Sequence, residues 1–486
     1  MNQLSKNTIS GRPESALLAL PEKVLQFGTG ALLRGLPDYL IDNANRQGIF
    51  NGRVVVVKST DSGETIAFET QDNLYTLCIR GIKDGHPVSE NVISTAISRV
   101  LLANRQWPDV LACAANPLLE IIISNTTEVG IQLVREDVRQ SPPASFPGKL
   151  LAFLHARYRA FHGDISKGLV IVPTELVSDN GTLLESIVLE LAHLNKLEYG
   201  FIEWLENTCT FCNSLVDRIV PGHPSAQKTV ELTAEFGYID RLLIVAEPYA
   251  LWAIEGDGKV EAVLSFQQAN PETVVVTPNI EGFRERKLRL LNGTHTLSCG
   301  LAHLAGFATV SAAMDDADMA AFIEQLMLGE IAPAIPFALP PGDAARFGRQ
   351  VLDRFRNPAV EHRWLSITVQ YSTKMRLRNI PVLLEHYRKE GSVPVCFALG
   401  FAAFLCFYRS ADHAIQDDQA PYFIEKWRTQ RPEKLVEAVL SDSAFWENDL
   451  SHLPGFANQV TQFVLDIVAH GARQVLQETL QDVVKL

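Results

Sequence analysis

The stretch "KVLQFGTGALLRGL", Lys23 to Leu36, constrains this chain more than any other. A short apolar run ends at Phe27, two glycines stand one residue apart at Gly28 and Gly30, and apolar residues then recur at helical spacing despite Pro37. Next comes "GRVVVVKST", from Gly52, which reads as a fully buried parallel strand. The glycines therefore sit at a strand-to-helix turn inside a βαβ unit. There Gly28 can supply the tight turn and Gly30 the close backbone approach to a pyrophosphate, because a helix N-terminus offers free N–H groups and a positive dipole end. The fingerprint is incomplete, since the third glycine position of GxGxxG falls on Leu33.

Two further buried strands follow, within "LEIIISNTTE" (Leu119 to Glu128) and "GLVIVPTELVSDNG" (Gly168 to Gly181), each running into a polar loop at its carboxyl end. Helical stretches such as "PGKLLAFLHARYRAFHG" lie between them. Alternating strands and helices predict an open, mostly parallel sheet with ligands outside the carboxyl ends of its strands, so both polar loops should face one crevice. Strand-like sequence runs out near Ile280, and helical periodicity dominates from Glu281 onward. The 486 residues exceed what one core usually organises. The expectation is an α/β Rossmann-type domain over residues 1–280, mainly parallel in its sheet, and a mainly α-helical substrate and catalytic domain over residues 281–486.

A net charge of -13 with no dense Lys/Arg block argues against nucleic acid as a partner, and an acidic substrate would need local cations to hold it. The start, "MNQLSKNTIS", lacks the apolar core of a signal peptide. "VPVCFALGFAAFLCFY" falls short of a membrane span and reads as a buried helix, so no membrane association is expected. The 7 cysteines are scattered. Cys209 and Cys212 form a CxxC without the second pair a zinc ribbon needs, which fits reduced core thiols of a cytosolic protein and no metal site.

The candidate cofactor set begins with Phe27, Gly28, Thr29, Gly30 and Leu32, with Arg34 placed to neutralise phosphate charge; its competing reading is a surface arginine on a capped helix. After the second strand, Asp61 could reach ribose hydroxyls and favour NAD, whereas Lys58 could meet a 2′-phosphate and favour NADP. The most informative segment is "KLRLLNGTH". On a continuous α-helix Lys287, Asn292 and His295 fall within an arc of about 140°. An ammonium, an amide and an imidazole on one face suit carbonyl reduction, in which an acid protonates the alkoxide and a neutral donor stabilises the oxyanion. The competing reading is a solvated lysine, an Asn-Gly cap and a core histidine. Tyr422-x3-Lys426 has the spacing of a short-chain dehydrogenase pair but lies far outside the nucleotide-binding half, and is read as incidental.

"Lys287-x4-Asn292-x2-His295", together with "QFGTGALLRG", "QDNLYTL", "SNTTEVG", "LVDRIVPG" and "RFRNPAVEH", resembles the polyol-specific long-chain dehydrogenases, the mannitol dehydrogenase family. The resemblance runs from about Pro21 into the C-terminal region. It implies a Rossmann-type N-terminal domain, a helical C-terminal domain, an active site between them and no metal. It also implies Lys287 as acid in reduction and base in oxidation, Asn292 polarising the carbonyl, and His295 orienting it or an adjacent hydroxyl. A lysine in that role near neutral pH needs a depressed pKa, to which Arg286 and Arg289 are candidate contributors. NAD is the implied cofactor, with NADP not excluded, and Asn125 and Thr126 lie on the nicotinamide side. One departure stands out: the mannitol enzymes carry an Asp-Asn pair where this chain has Glu175 and Leu176, leaving Asn180 as the candidate replacement amide. Asp217 and Arg218 match a motif on the substrate side, or form a structural ion pair.

"YSTKMRLRN" concentrates cations unusually for an acidic chain, with Ser372, Lys374, Arg376 and Arg378. A uronate carboxylate could dock on Lys374 with Ser372, or on an arginine fork including Arg376; ordinary helix-surface charge is the alternative. The expected function is cytosolic NAD(H)-dependent reduction of a keto-uronate to an aldonate in hexuronate breakdown, by a monomer or small homo-oligomer. The alternatives are fructuronate or a neutral polyol such as mannitol as the substrate, or a nucleotide-binding regulator without catalysis.

Overall fold

The unbroken apolar runs of the first half pair as strands. In the computed structural model, which describes residues 1–60, 65–126, 130–409 and 415–483, they form β1 (Glu22–Phe27), β2 (Arg53–Lys58), β3 (Ile97–Leu102), β4 (Ile121–Ser124), β5 (Val170–Pro173) and β6 (Thr210–Phe211). Their spatial order is β3-β2-β1-β4-β5-β6, with every neighbouring pair parallel. This is the Rossmann order, and the chain reverses direction across the sheet between β1 and β4.

The strands are apolar throughout because both faces are covered. Leu25, Phe27, Val55, Val57, Ile122 and Ile171 join one core cluster with the helices Phe146–Ala160 and Asn180–Leu194. Their alternates Val24, Val54, Val56, Ile121, Ile123 and Val172 join another. A smaller sheet holds Ser214–Asp217 antiparallel to Leu251–Glu255, which runs parallel to Val274–Thr277.

The first helix departs from the sequence expectation. It breaks into α1 (Ala31–Gly35) and α2 (Pro37–Arg46), with Leu36 at φ -131° and ψ -79°. Proline lacks the N–H that would continue the ladder and drives the residue before it out of helical geometry.

By internal contacts the chain forms two units, Met1–Arg80 with Val88–Ile280, and Gly81–Pro87 with Glu281–Leu486. A single boundary after residue 280 does not anticipate that the hairpin tip Gly81–Pro87 groups with the second unit, where the Gly85 N–H donates to the Asp353 carboxylate at 3.2 Å.

Unit 2 is helical around Val395–Phe407, in which every residue from Cys396 to Phe407 is buried. That helix packs on Thr294–Leu304 and Phe456–His470. Among the described residues no helix is long and apolar enough to cross a membrane. The cysteines are free and buried, and burial pushes the Cys209 and Cys212 thiols up to about 11 and about 12.

Close helix approach depends on Gly400, where a Cβ would stand 2.7 Å from the backbone oxygen of Leu297. Backbone cannot swing aside as a side chain can. Gly400→Ala is therefore expected to destabilise unit 2 by about 1–3 kcal/mol, read as a lowered midpoint in thermal or urea unfolding.

Candidate active site

In unit 1 the glycine turn lies at the carboxyl edge of the sheet, at the point where strand order reverses. Gly28 has φ +126°, and a Cβ there would come within 2.8 Å of the Asn125 carbonyl oxygen. Only glycine fits. The Asn125 N–H donates to the Phe27 carbonyl at 3.1 Å, so the ends of β1 and β4 are stitched together. Gly30 precedes α1 and has no atom within 4 Å of its missing Cβ, which leaves its backbone open to a ligand. A cradle of this shape fits a pyrophosphate. The two polar loops do meet: Asn125 Nδ2 donates to Thr174, while the Thr126 N–H and hydroxyl donate to Glu175 at 2.8 and 3.0 Å.

Several candidates are turned elsewhere. Phe27 is fully buried and packs on Phe146, so its side chain belongs to the core. Leu32 packs against the opposite core cluster. Thr29 stays half-buried in the turn. Arg34 bonds the Leu242 carbonyl and lies over the Phe68 and Tyr75 rings, which ties it into the fold and away from a phosphate role. Asn180 is the clearest correction. Its amide donates to the carbonyls of Pro173, Glu175 and Ser214 and accepts from the Gly181 and Ser214 N–H groups, so no capacity is left for a substrate oxyanion. Asp217 ends its strand buried. Arg218 donates to the carbonyls of Glu247 and Gly35 and covers the Tyr39 ring. Lys58 is buried at the end of β2, and Asp61 lies outside the described residues.

Unit 2 carries a feature that helical periodicity does not reveal. Lys287–Gly293 and Met375–Asn379 are π-helical turns, and they pack on one another. A π-turn bonds residues five apart. Lys287 and Asn292 have that spacing and sit one π-turn apart, where a continuous α-helix would have spread them to the limits of one face.

Side chains lace the two turns together. Arg289, held by Glu285 at 3.0 Å, donates to the carbonyls of Leu377 and Arg378. Asn379 Nδ2 donates to the Gly293 carbonyl at 3.0 Å. Arg286 pairs with Asp343 at 2.9 Å. Because Arg286 and Arg289 each face a carboxylate, neither is the bare neighbouring cation that the lysine chemistry suggested.

His295 follows on Thr294–Leu304, its ring stacked on Phe355 at 4.1 Å and edged by His362 at 4.8 Å. Its Nε2 is buried with no hydrogen-bond partner. Burial, then His362, Arg354, Arg378 and Lys374, hold its pKa well below the ordinary value, so the ring is neutral. Lys374 donates to the Ile367 carbonyl at 3.0 Å, and Arg378 donates to the Thr296 hydroxyl at 3.2 Å. Burial lowers both of their pKa values.

The remaining cation-cluster candidates point away. Ser372 is fully buried with its N–H and hydroxyl both on Asp417, and Arg376 faces Glu447 at 3.5 Å across the Phe445 ring. Of Lys374 and Arg378, four residues apart, Arg378 reaches Asn292 and Thr296 on either side of His295. Tyr422 is unsuited to base chemistry, its phenol pushed up to about 12 by burial and Asp442.

Two family models cover the chain: the mannitol dehydrogenase Rossmann domain matches residues 22–267 and the mannitol dehydrogenase C-terminal domain matches residues 279–468. The chain belongs to the mannitol dehydrogenase family. As a member it is an oxidoreductase of CH–OH groups that works with a nicotinamide cofactor. Similar relatives include the altronate oxidoreductase of Bacillus subtilis (strain 168), 38% identical with 98% of each chain covered. Those of Halalkalibacterium halodurans and Yersinia enterocolitica are 37% and 36% identical, covering 96% and 97% of this chain and 94% and 99% of their own. Among solved structures, Pseudomonas fluorescens mannitol 2-dehydrogenase in ternary complex with NAD and D-mannitol has a TM-score of 0.69 at 21% identity, covering 99% of this chain and 100% of its own. A substrate-free D-sorbitol dehydrogenase has a TM-score of 0.78 at 19% identity, covering 98% and 100%. Both share the fold.

A neutral buried histidine has a consequence for stability. Its folded pKa lies below the unfolded value of 6.5, so as pH falls through that value the unfolded chain takes up a proton that the folded one does not, and stability drops. Thermal melts from about pH 7 to about pH 5 should show the wild type losing more than His295→Gln.

Proposed function

We propose that the protein is an NAD(H)-dependent keto-uronate reductase that interconverts D-tagaturonate and D-altronate. The observation that carries this reading is the pair of cations four residues apart, Lys374 and Arg378, in a chain of net charge -13, with Arg378 reaching the Asn292 carbonyl at 3.5 Å and the Thr296 hydroxyl at 3.2 Å on either side of His295. A neutral polyol needs no such pair, whereas a uronate carboxylate needs one to enter a negative field. The curated relatives named altronate oxidoreductase support the same substrate class.

The Gly28 turn, Gly30 and the Asn125–Thr126 loop are the residues assigned to hold the dinucleotide in unit 1. When bound, a reduced nicotinamide supplies the hydride. Lys287 Nζ protonates the oxygen of the ketone as it becomes an alkoxide, and Asn292 polarises the same carbonyl through its amide. The unpartnered Nε2 of neutral His295 completes its hydrogen bonding with that oxygen or with an adjacent hydroxyl. Lys374 and Arg378 anchor the carboxylate and fix which carbon is presented. In the oxidative direction Lys287 takes the alcohol proton as base.

Turnover of tagaturonate, fructuronate and fructose with NADH and with NADPH tests substrate and cofactor together; fastest reduction of tagaturonate with NADH is expected, and a preference for fructose would overturn the reading. Lys287→Ala should lower kcat by roughly 100- to 10,000-fold while leaving the NADH dissociation constant near its original value. Arg378→Met should raise KM for the keto-uronate by about 10- to 100-fold, the loss expected for one charge-assisted hydrogen bond, and leave KM for a neutral ketose within about twofold.

A further inference from the structure

Directly beneath the glycine turn, Asp38 on α2 and Gln26 on β1 are both fully buried. Gln26 Nε2 donates to Asp38 Oδ2 at 3.3 Å and reaches the Gly28 carbonyl at 3.4 Å. The amide oxygen Gln26 Oε1 and the second carboxyl oxygen Asp38 Oδ1 are buried without a hydrogen-bond partner. With an ionised carboxylate both of those oxygens are acceptors, and neither can satisfy the other. Two orphaned acceptors in one buried pair are costly. A neutral carboxylic acid removes the conflict, because its O–H can donate to the amide oxygen while the amide N–H donates back.

We propose that Asp38 keeps its proton in the folded protein and closes a two-bond amide–acid pair with Gln26, which through Gln26 positions the Gly28 turn for the dinucleotide. Asp38 is thus a positioning residue that acts on cofactor binding without touching the cofactor. The charged and titratable groups facing it are consistent with a retained proton. Arg34, from α1, is committed to the Leu242 carbonyl and two aromatic rings. Asp42, one turn along α2, pairs with Arg46 and accepts from Thr95. The Tyr75 hydroxyl donates to the Arg34 carbonyl. Burial pushes the Asp38 carboxyl up to about 7, against the opposing pull of Gln26 and Arg34. Ionisation near neutral pH would break the O–H bond to Gln26 and slacken the turn.

The inference rests on the reading that the Gly28 turn holds the cofactor, and two measurements separate its failure from the failure of that reading. The first is the NADH dissociation constant of the wild type, Asp38→Asn and Asp38→Ala, from fluorescence titrations between about pH 6 and about pH 9. The wild type should weaken by about tenfold or more above pH 7. Asp38→Asn, whose amide can make the same two bonds at any pH, should hold one affinity throughout, and Asp38→Ala should bind weakly at every pH. A wild type with flat affinity, or an Asn variant with the wild-type slope, overturns the proposal.

The second measurement is thermal stability, which needs no cofactor. A carboxyl raised from 3.8 to about 7 stays protonated in the fold while the unfolded chain ionises, so it loses stability as pH rises across that window. The melting temperature of Asp38→Asn relative to the wild type should therefore climb from about pH 4 to about pH 7 and then level; a constant difference overturns the proposal. If no variant binds NADH at any pH, the cofactor reading fails, and the melting comparison alone decides whether the pair exists.

Discussion

Two π-turns of unit 2 pack on one another, and side chains from each donate to backbone carbonyls of the other. In an α-helix each interior carbonyl accepts from the N–H four residues on; over Lys287–Gly293 and Met375–Asn379 that register slips by one. Arg289 and Asn379 cross between the two turns, each donating to carbonyls on the opposite one. Those bonds tie the turn that carries Lys287 and Asn292 to the turn that carries Arg378.

Unit 1 answers a different constraint. Its strands are apolar on both faces and must be covered on both, which favours a parallel sheet with helical crossovers. That sheet has a single point where strand order reverses, and the loops after β1 and β4 meet there. Gly28 is required by the closeness of Asn125, and the five-residue α1 follows at once. Gln26 and Asp38 lie fully buried under the same turn, so the glycine loop stands on a buried polar pair.

The sequence made the architecture legible and much of the site only by residue identity. Period-two burial is invisible in "VVVV", yet an unbroken run between turns specifies a doubly covered strand, and the alternation with helices specifies a parallel sheet. Lys287, Asn292 and His295 stood out because an ammonium, an amide and an imidazole can share one broad helix face and match the motif of the family the chain resembles. The π-turns did not stand out, since one extra residue in a turn barely disturbs apolar spacing. Long side chains were the other blind spot. Arg34, Arg376 and Ser372 lie where a ligand-binding role is plausible from spacing, but which carbonyl or carboxylate they reach depends on distant residues: Leu242, Glu447 and Asp417. Asn180 failed for the same reason, its amide being drawn into three backbone carbonyls that sequence spacing does not bring together. Glu175 went the other way: noted only as a departure from the mannitol enzymes, it bonds Ser124 and Thr126 and joins the two polar loops.

The central claim is that the laced π-turns hold the proton donor in register with the carbonyl it serves. The most direct test is the single-turnover rate of hydride transfer in Asn379→Leu, measured with saturating NADH and keto-uronate beside the NADH dissociation constant of the same variant. Loss of the bond to the Gly293 carbonyl should slow transfer by about tenfold or more with cofactor affinity intact. A transfer rate equal to that of the wild type, in a variant with a lowered melting temperature, would show that the lacing stabilises the fold without positioning the chemistry, and would contradict the account.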